Sequence, residues 1–132
     1  MSTDTVTHRK LVRVFTAIGP YLRELKSSES QYFFDCLSVC VSAKAEPDAR
    51  TFWGWWLTLE TKDSQHFEFH YQLGFFDVDG EWQTRALPKK HQAEVARTLR
   101  EFYDKLETCL EGLSLSMSPS AALEKDHLLS IA

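Results

Sequence analysis

Arg50-Thr51-Phe52-Trp53-Gly54-Trp55-Trp56 places three of the chain's four tryptophans, a phenylalanine and an arginine within one strand's length. Successive side chains of an extended strand point to opposite faces, so Trp53 and Trp55 share one face while Phe52 and Trp56 share the other. Both faces are apolar. A sheet built on this strand needs helices on one side, and a partner, a ligand or a second layer on the other.

The neighbouring segments supply the rest of that sheet. Residues 31–43 are rich in β-branched and aromatic side chains and read as a strand with Phe33, Leu37, Val39 and Val41 on its apolar parity. Asp35 falls on the same parity, and a carboxylate buried there needs a hydrogen-bonding or charged partner. Residues 65–77 alternate most cleanly, with Phe67, Phe69, Tyr71, Leu73 and Phe75 against His66, Glu68, His70 and Gln72. Asp77-Val78-Asp79-Gly80 carries hairpin chemistry and leads to a short strand at 81–85. Leu113, Leu115 and Met117 alternate with serines and predict an edge strand.

Two helices are expected. Leu11, Val14, Phe15 and Ile18 recur at helical spacing over residues 8–18, after Thr7 as N-cap and before Gly19-Pro20. Pro20-Tyr21-Leu22-Arg23-Glu24 then reads as a tight turn or one helical turn. Between Pro88 and Gly112, the stripe Val95, Leu99, Phe102, Leu106, Cys109 and Leu110 predicts the longest helix, wide enough to lie on the sheet. The expected fold is α/β of the α+β type: one domain over residues 1–132, an antiparallel sheet of about five strands flanked by helices. Residues 118–132 are expected to form a mobile tail, with at most a short helix near Leu123 to Leu129.

Composition narrows the function. A chain of 132 residues with 43% hydrophobic and 26% charged residues suits a single globular domain, and 13% aromatics point to a core of large flat rings. A net charge of -4 opposes a role that neutralises nucleic-acid phosphates, although Arg9, Lys10, Arg13, Arg23 and Lys26 make the first segment locally basic. Three cysteines, Cys36, Cys40 and Cys109, read as reduced buried thiols of a cytoplasmic protein. There is no signal-like apolar segment at the N-terminus and no bilayer-length apolar run, so a soluble cytoplasmic protein without a membrane contact is expected.

No motif for catalysis stands out. His66 and His70 are about 13 Å apart in a strand and cannot share a metal. Asp77, Asp79 and Glu81 lack EF-hand spacing, and neither a phosphate loop nor a nucleophile elbow appears. No enzyme, metal or cofactor is expected. Stacked aromatics could serve single-stranded nucleic acid, but here they alternate with Gly, Thr, Glu and Gln rather than with Lys and Arg. Arg50 beside surplus tryptophan suits a protein interface, because Trp, Tyr and Arg dominate binding energy at interface centres. A local pairing of Arg50 with Asp48 is the competing reading.

Phe15-Thr16-Ala17-Ile18-Gly19-Pro20-Tyr21-Leu22-Arg23-Glu24, Phe33-Phe34-Asp35-Cys36-Leu37-Ser38-Val39-Cys40-Val41, Arg50 with Phe52-Trp53-Gly54-Trp55-Trp56, and Trp82 followed by Leu99-Arg100-Glu101-Phe102 closely resemble the Crl family. The resemblance runs in order from about residue 9 to about 117. It implies a small α/β protein that binds the stationary-phase sigma factor RpoS, chiefly its region-2 domain, with a tethering contact to the β′ subunit of core RNA polymerase. Such a protein favours holoenzyme assembly and raises transcription of the RpoS regulon, curli genes included, without sequence-specific contact to DNA. By position, the resemblance implies Arg50, Tyr21, Phe52, Trp55, Trp82, Pro20, Arg23 and Asp35 as partner-binding residues. Thr51 departs from the family pattern, where an acidic residue stands. Trp53 and Trp56 are then expected in the core, and Phe52 and Trp55 can share one site only if the strand twists or bulges. An alternative is a small-ligand domain whose pocket is lined by Tyr21, Phe52, Trp55 and Trp82.

Overall fold

A computed structural model describes residues 7–41, 46, 49–63 and 65–120. Thr7 accepts a hydrogen bond from the Lys10 amide (3.2 Å) and so starts α1, His8–Ala17, as its spacing predicts. A short 3-10 turn at Glu24–Lys26 follows, then β1 (Gln31–Cys40), β2 (Phe52–Thr61), β3 (His66–Phe76), β4 (Trp82–Gln83), α2 (Lys89–Gly112) and β5 (Ser116–Pro119). The five strands form a single sheet in the order β1-β2-β3-β4, with β5 also on β3. β4 pairs with the Phe75–Phe76 end of β3 and β5 with its His66–Phe69 end, so the two short strands share one edge. The sheet is antiparallel as expected, save that β5 runs parallel to β3.

That parallel pairing is made possible by the end of α2. The Leu115 amide donates to the Leu110 carbonyl (2.8 Å) and the Ser114 amide to that of Glu111 (3.0 Å), with Ser114 at φ 59°. This is a Schellman reversal on serine rather than glycine. Across β3, the His66 ring nitrogens lie 2.9 Å from the hydroxyls of both Ser116 and Ser118 and fix the register of β5.

Both helices pack on one face of the sheet. Leu11 and Phe15 of α1, and Val95, Leu99, Phe102, Leu106 and Leu110 of α2, close over Tyr32, Phe34, Trp55, Leu57, Leu59, Phe67, Phe69 and Tyr71. The α2 stripe is the one the sequence predicts. Phe102 is its keystone: its ring lies 4.8 to 5.0 Å from those of Tyr21, Phe34 and Trp55. Burial pushes the Tyr32 phenol up to about 12, and the hydrogen bond between its hydroxyl and His8 Nδ1 (2.7 Å) ties α1 to β1.

In β1 the expected parity is wrong. Tyr32 and Phe34 are buried, whereas Leu37 and Val41 are 36% and 50% exposed. The register runs Cys36↔Trp55 and then Val39↔Trp53, so one extra residue bulges out of β1 and changes which parity faces the helices. Val39 returns to the core after the bulge. Both parities of this strand are apolar, so alternation alone cannot locate the switch. The cysteines are free, but Cys40 is exposed rather than buried. Asp48 and the segment at 123–129 lie outside the described residues.

Candidate functional site

The sheet face opposite the helices bears no helix among the described residues, and it is where the surplus aromatic area goes. β2 sends Phe52, Gly54 and Trp56 to this open face and Trp53, Trp55, Leu57 and Leu59 to the helix face. The parity of β2 therefore holds, but the assignment of its tryptophans is reversed. Trp55, expected on the partner surface, is fully buried; it stacks near Tyr21 (5.9 Å) and Phe102, and its Nε1 donates to Thr98 Oγ1 (3.1 Å). Trp56, expected in the core, is only partly buried and lies on the open face. Trp53 is buried as expected, at an end of the sheet where the Arg85 guanidinium lies 5.6 Å from its ring and 4.3 Å from that of Phe75.

A glycine pair makes room on the open face. Gly54 and Gly74 are direct cross-strand partners, and the Trp82 and Trp56 rings lie where their side chains would be. A Cβ on Gly54 would meet the Cys36 carbonyl and would lie 3.0 Å from the Trp82 ring; one on Gly74 would meet the Gln83 carbonyl and would lie 2.9 Å from the Trp56 ring. With no side chains between them, the two indoles pack at a tilt of 36° with centroids 4.9 Å apart, and Phe76 packs edge-on against Trp82 at 5.1 Å.

Bonded to the Trp82 indole is an ion pair whose acidic half is buried. Asp35, only 4% exposed, accepts from Arg23 Nε (2.6 Å) through Oδ1 and from Trp82 Nε1 (3.0 Å) through Oδ2. Both carboxylate oxygens are thus engaged, as the sequence argument requires of a buried acid. In a flat sheet β4 and β1 are about 14 Å apart. A bond from Trp82 to Asp35 therefore needs the sheet to curl toward the open face. Arg23 arrives from the edge segment, which is held along β1 by bonds from the Arg23 amide to the Phe33 carbonyl (2.8 Å) and from the Asp35 amide to the Tyr21 carbonyl (3.0 Å). Asp35→Ala is expected to cost about 2 kcal/mol, the worth of hydrogen bonds to a buried charge, because Trp82 loses its acceptor while half-exposed Arg23 stays solvated. A shift in urea midpoint at constant slope, with red-shifted tryptophan emission, checks this.

The eight residues implied by the resemblance therefore fall into two groups. Arg23, Asp35 and Trp82 form one network, and Phe52 joins its surface through Phe76, with ring centroids 6.5 Å apart. Arg50 is half-buried just before β2, where the Thr51 carbonyl still pairs with the Val41 amide (2.9 Å), and Pro20 is exposed at the corner after α1. Tyr21 and Trp55 lie on the helix side. Phe52, Tyr21, Trp55 and Trp82 consequently do not line one pocket. The cleft that does open on the open face, about 450 Å³, is lined by Lys26, Phe33, Trp56, Asp79, Gly80, Glu81 and Trp82. Sequence reasoning missed Lys26, Phe33 and Trp56 there; the available signal was a glycine in each of two neighbouring strands, Gly54 and Gly74.

Burial pushes the Cys36 thiol up, against the hydrogen bonds of Ser38 and Thr98, which is the opposite of what activates a cysteine nucleophile. Among the described residues no cluster of His, Cys, Asp or Glu could hold a metal ion, and no helix is long and apolar enough to cross a membrane.

Partly exposed indoles beside the Arg23–Asp35 ion pair, with charged residues at the margins, make this open face the candidate site of a small α+β domain. Comparison with known proteins shows the family to which the chain belongs. The family model described as "Sigma factor-binding transcriptional regulator Crl" matches residues 1–127. The chain is 44% identical over 128 residues to the Sigma factor-binding protein Crl of Photobacterium profundum, covering 95% of this chain and 96% of that one. It is 43% identical over 119 residues to the protein of the same name from Vibrio cholerae (89% and 92% covered), and 43% identical over 109 residues to that of Vibrio vulnificus (83% and 84%). The chain belongs to the Crl family, whose members are sigma factor-binding transcriptional regulators and not enzymes.

Proposed function

We propose that the protein is a cytoplasmic transcriptional coactivator that binds the stationary-phase sigma factor RpoS through its region-2 domain. It promotes assembly of that sigma factor with core RNA polymerase, aided by a contact to the β′ subunit, and so raises transcription of the RpoS regulon, curli genes included. DNA is not read by sequence. Membership of a sigma factor-binding family supports the partner class, and the observation that carries the site is the partly exposed Trp56–Trp82 surface beside the Arg23–Asp35 pair. The net charge of -4 favours contact through protein rather than phosphate.

Titrating the full chain with the isolated region-2 domain of RpoS tests this reading. Saturable micromolar binding is expected, with much weaker binding to the housekeeping sigma factor; equal binding to both would sink the proposal. Arg50→Ala is expected to weaken that binding at least about tenfold, as loss of an interfacial arginine commonly does, with little change in melting temperature. A large stability loss would assign Arg50 to the fold instead.

A further inference from the structure

The open-face cleft carries more information than its aromatic floor. Its floor is Phe33, Trp56 and Trp82, and its two walls bear opposite charge. On one side stands Lys26, its ammonium 4.9 Å from the Phe33 ring centroid; on the other stand Asp79 and Glu81, in the turn that the Asp77 carboxylate holds by accepting from the Asp79 and Glu81 amides. The turn is further fixed by Gly80 at φ 78°. Among the described residues no ion pair engages Lys26, Asp79 or Glu81. Next to Lys26 in the chain is Leu25, wholly exposed at 103%, and next to Asp79 is Val78 at 54%. Two of the four large apolar side chains exposed among the described residues are thus next in sequence to the cleft's charged residues.

We infer that this cleft is the seat of one protruding apolar side chain of the sigma-factor partner, with an acidic residue of the partner meeting Lys26 and a basic residue meeting Asp79 and Glu81. The inference rests on the reading of the protein as a sigma-factor binder and adds to it the residues that set orientation. The aromatic floor supplies affinity once the partner covers it, because desolvated Trp pockets are where binding energy concentrates. The charged walls supply direction: a partner docked in the reverse sense would bring like charges together on both sides. A nucleic-acid strand is disfavoured by the same arrangement, since phosphates accepted at Lys26 would run into Asp79 and Glu81. Trp82 is held in place for this role by Asp35 and Gly54, so the floor is formed before the partner arrives.

The test compares binding of the full-length chain and its variants to the RpoS region-2 domain. Trp56→Ala is expected to weaken binding about thirtyfold, and Lys26→Glu and Glu81→Lys about fivefold each, with more salt dependence lost than thermal stability. The two charge variants alter exposed side chains, so they remain decisive if Trp56→Ala fails to fold. Wild-type binding with all variants within twofold of it would overturn the cleft while leaving the sigma-factor reading intact. Absence of wild-type binding would overturn both.

Discussion

Trp55→Ala is expected to destabilise the protein by about 4 kcal/mol, the range typical of deleting a buried large aromatic ring. Trp55 has no exposed surface, and its ring is enclosed by Tyr21 and Phe102 at 5.9 and 4.9 Å. Alanine there empties the contact between β2 and α2. It also removes the donor to Thr98 Oγ1, which is simultaneously within 2.7 Å of the Ser38 hydroxyl, so a small polar network loses its link to the core. Since a domain of this size is stable by only about 5 to 15 kcal/mol, such a variant sits close to unfolding at ordinary temperature. Chemical denaturation measures the loss directly. A change below about 1 kcal/mol would show that the indole is not enclosed as described. Any weakening of partner binding in this variant should disappear at a temperature low enough to keep it folded, because no atom of Trp55 reaches the surface.

Gly54→Ala is the second large effect, expected at about 3 kcal/mol, the upper part of the usual cost of overpacking. The strain is not conformational, as Gly54 lies in a regular part of β2. It is steric: the new methyl meets the Cys36 carbonyl, a main-chain atom fixed beside the β1 bulge, while the Trp82 ring 3.0 Å away could swing aside. β1 must therefore draw away from β2, or Trp82 must lift and give up its bond to Asp35. Tryptophan fluorescence separates these outcomes from no effect at all. A red shift with a lowered denaturation midpoint is expected, and unchanged values of both would refute the close approach.

Much of the fold was legible because it rests on periodicity. The β3 alternation from Phe67 to Phe75 and the α2 stripe from Val95 to Leu110 each have one apolar side, and each took up the predicted face. β1 was not legible in the same way. With Tyr32, Phe33, Phe34, Leu37 and Val39 spread over both parities, hydrophobicity could not choose a face, and the bulge that changes parity leaves no mark in composition. The candidate site divides along the same line. Arg23, Asp35 and Trp82 carried a family likeness and meet in one network, while Lys26, Phe33 and Trp56 entered the cleft unannounced.

The sequence by itself determined that β2 carries apolar side chains on both faces and that Trp53 and Trp55 must lie opposite Phe52 and Trp56, because strand geometry admits no other division. Which of those faces would be sealed by helices was decided only in three dimensions, by where α2 lays Phe102 and by the extra residue that turns β1. The glycine pair Gly54 and Gly74 became a bed for two indoles only through cross-strand register, a relation between residues twenty apart that no local pattern encodes. Packing against distant partners selected the face, and that selection divided an excess of tryptophan between the core, at Trp53 and Trp55, and the open face, at Trp56.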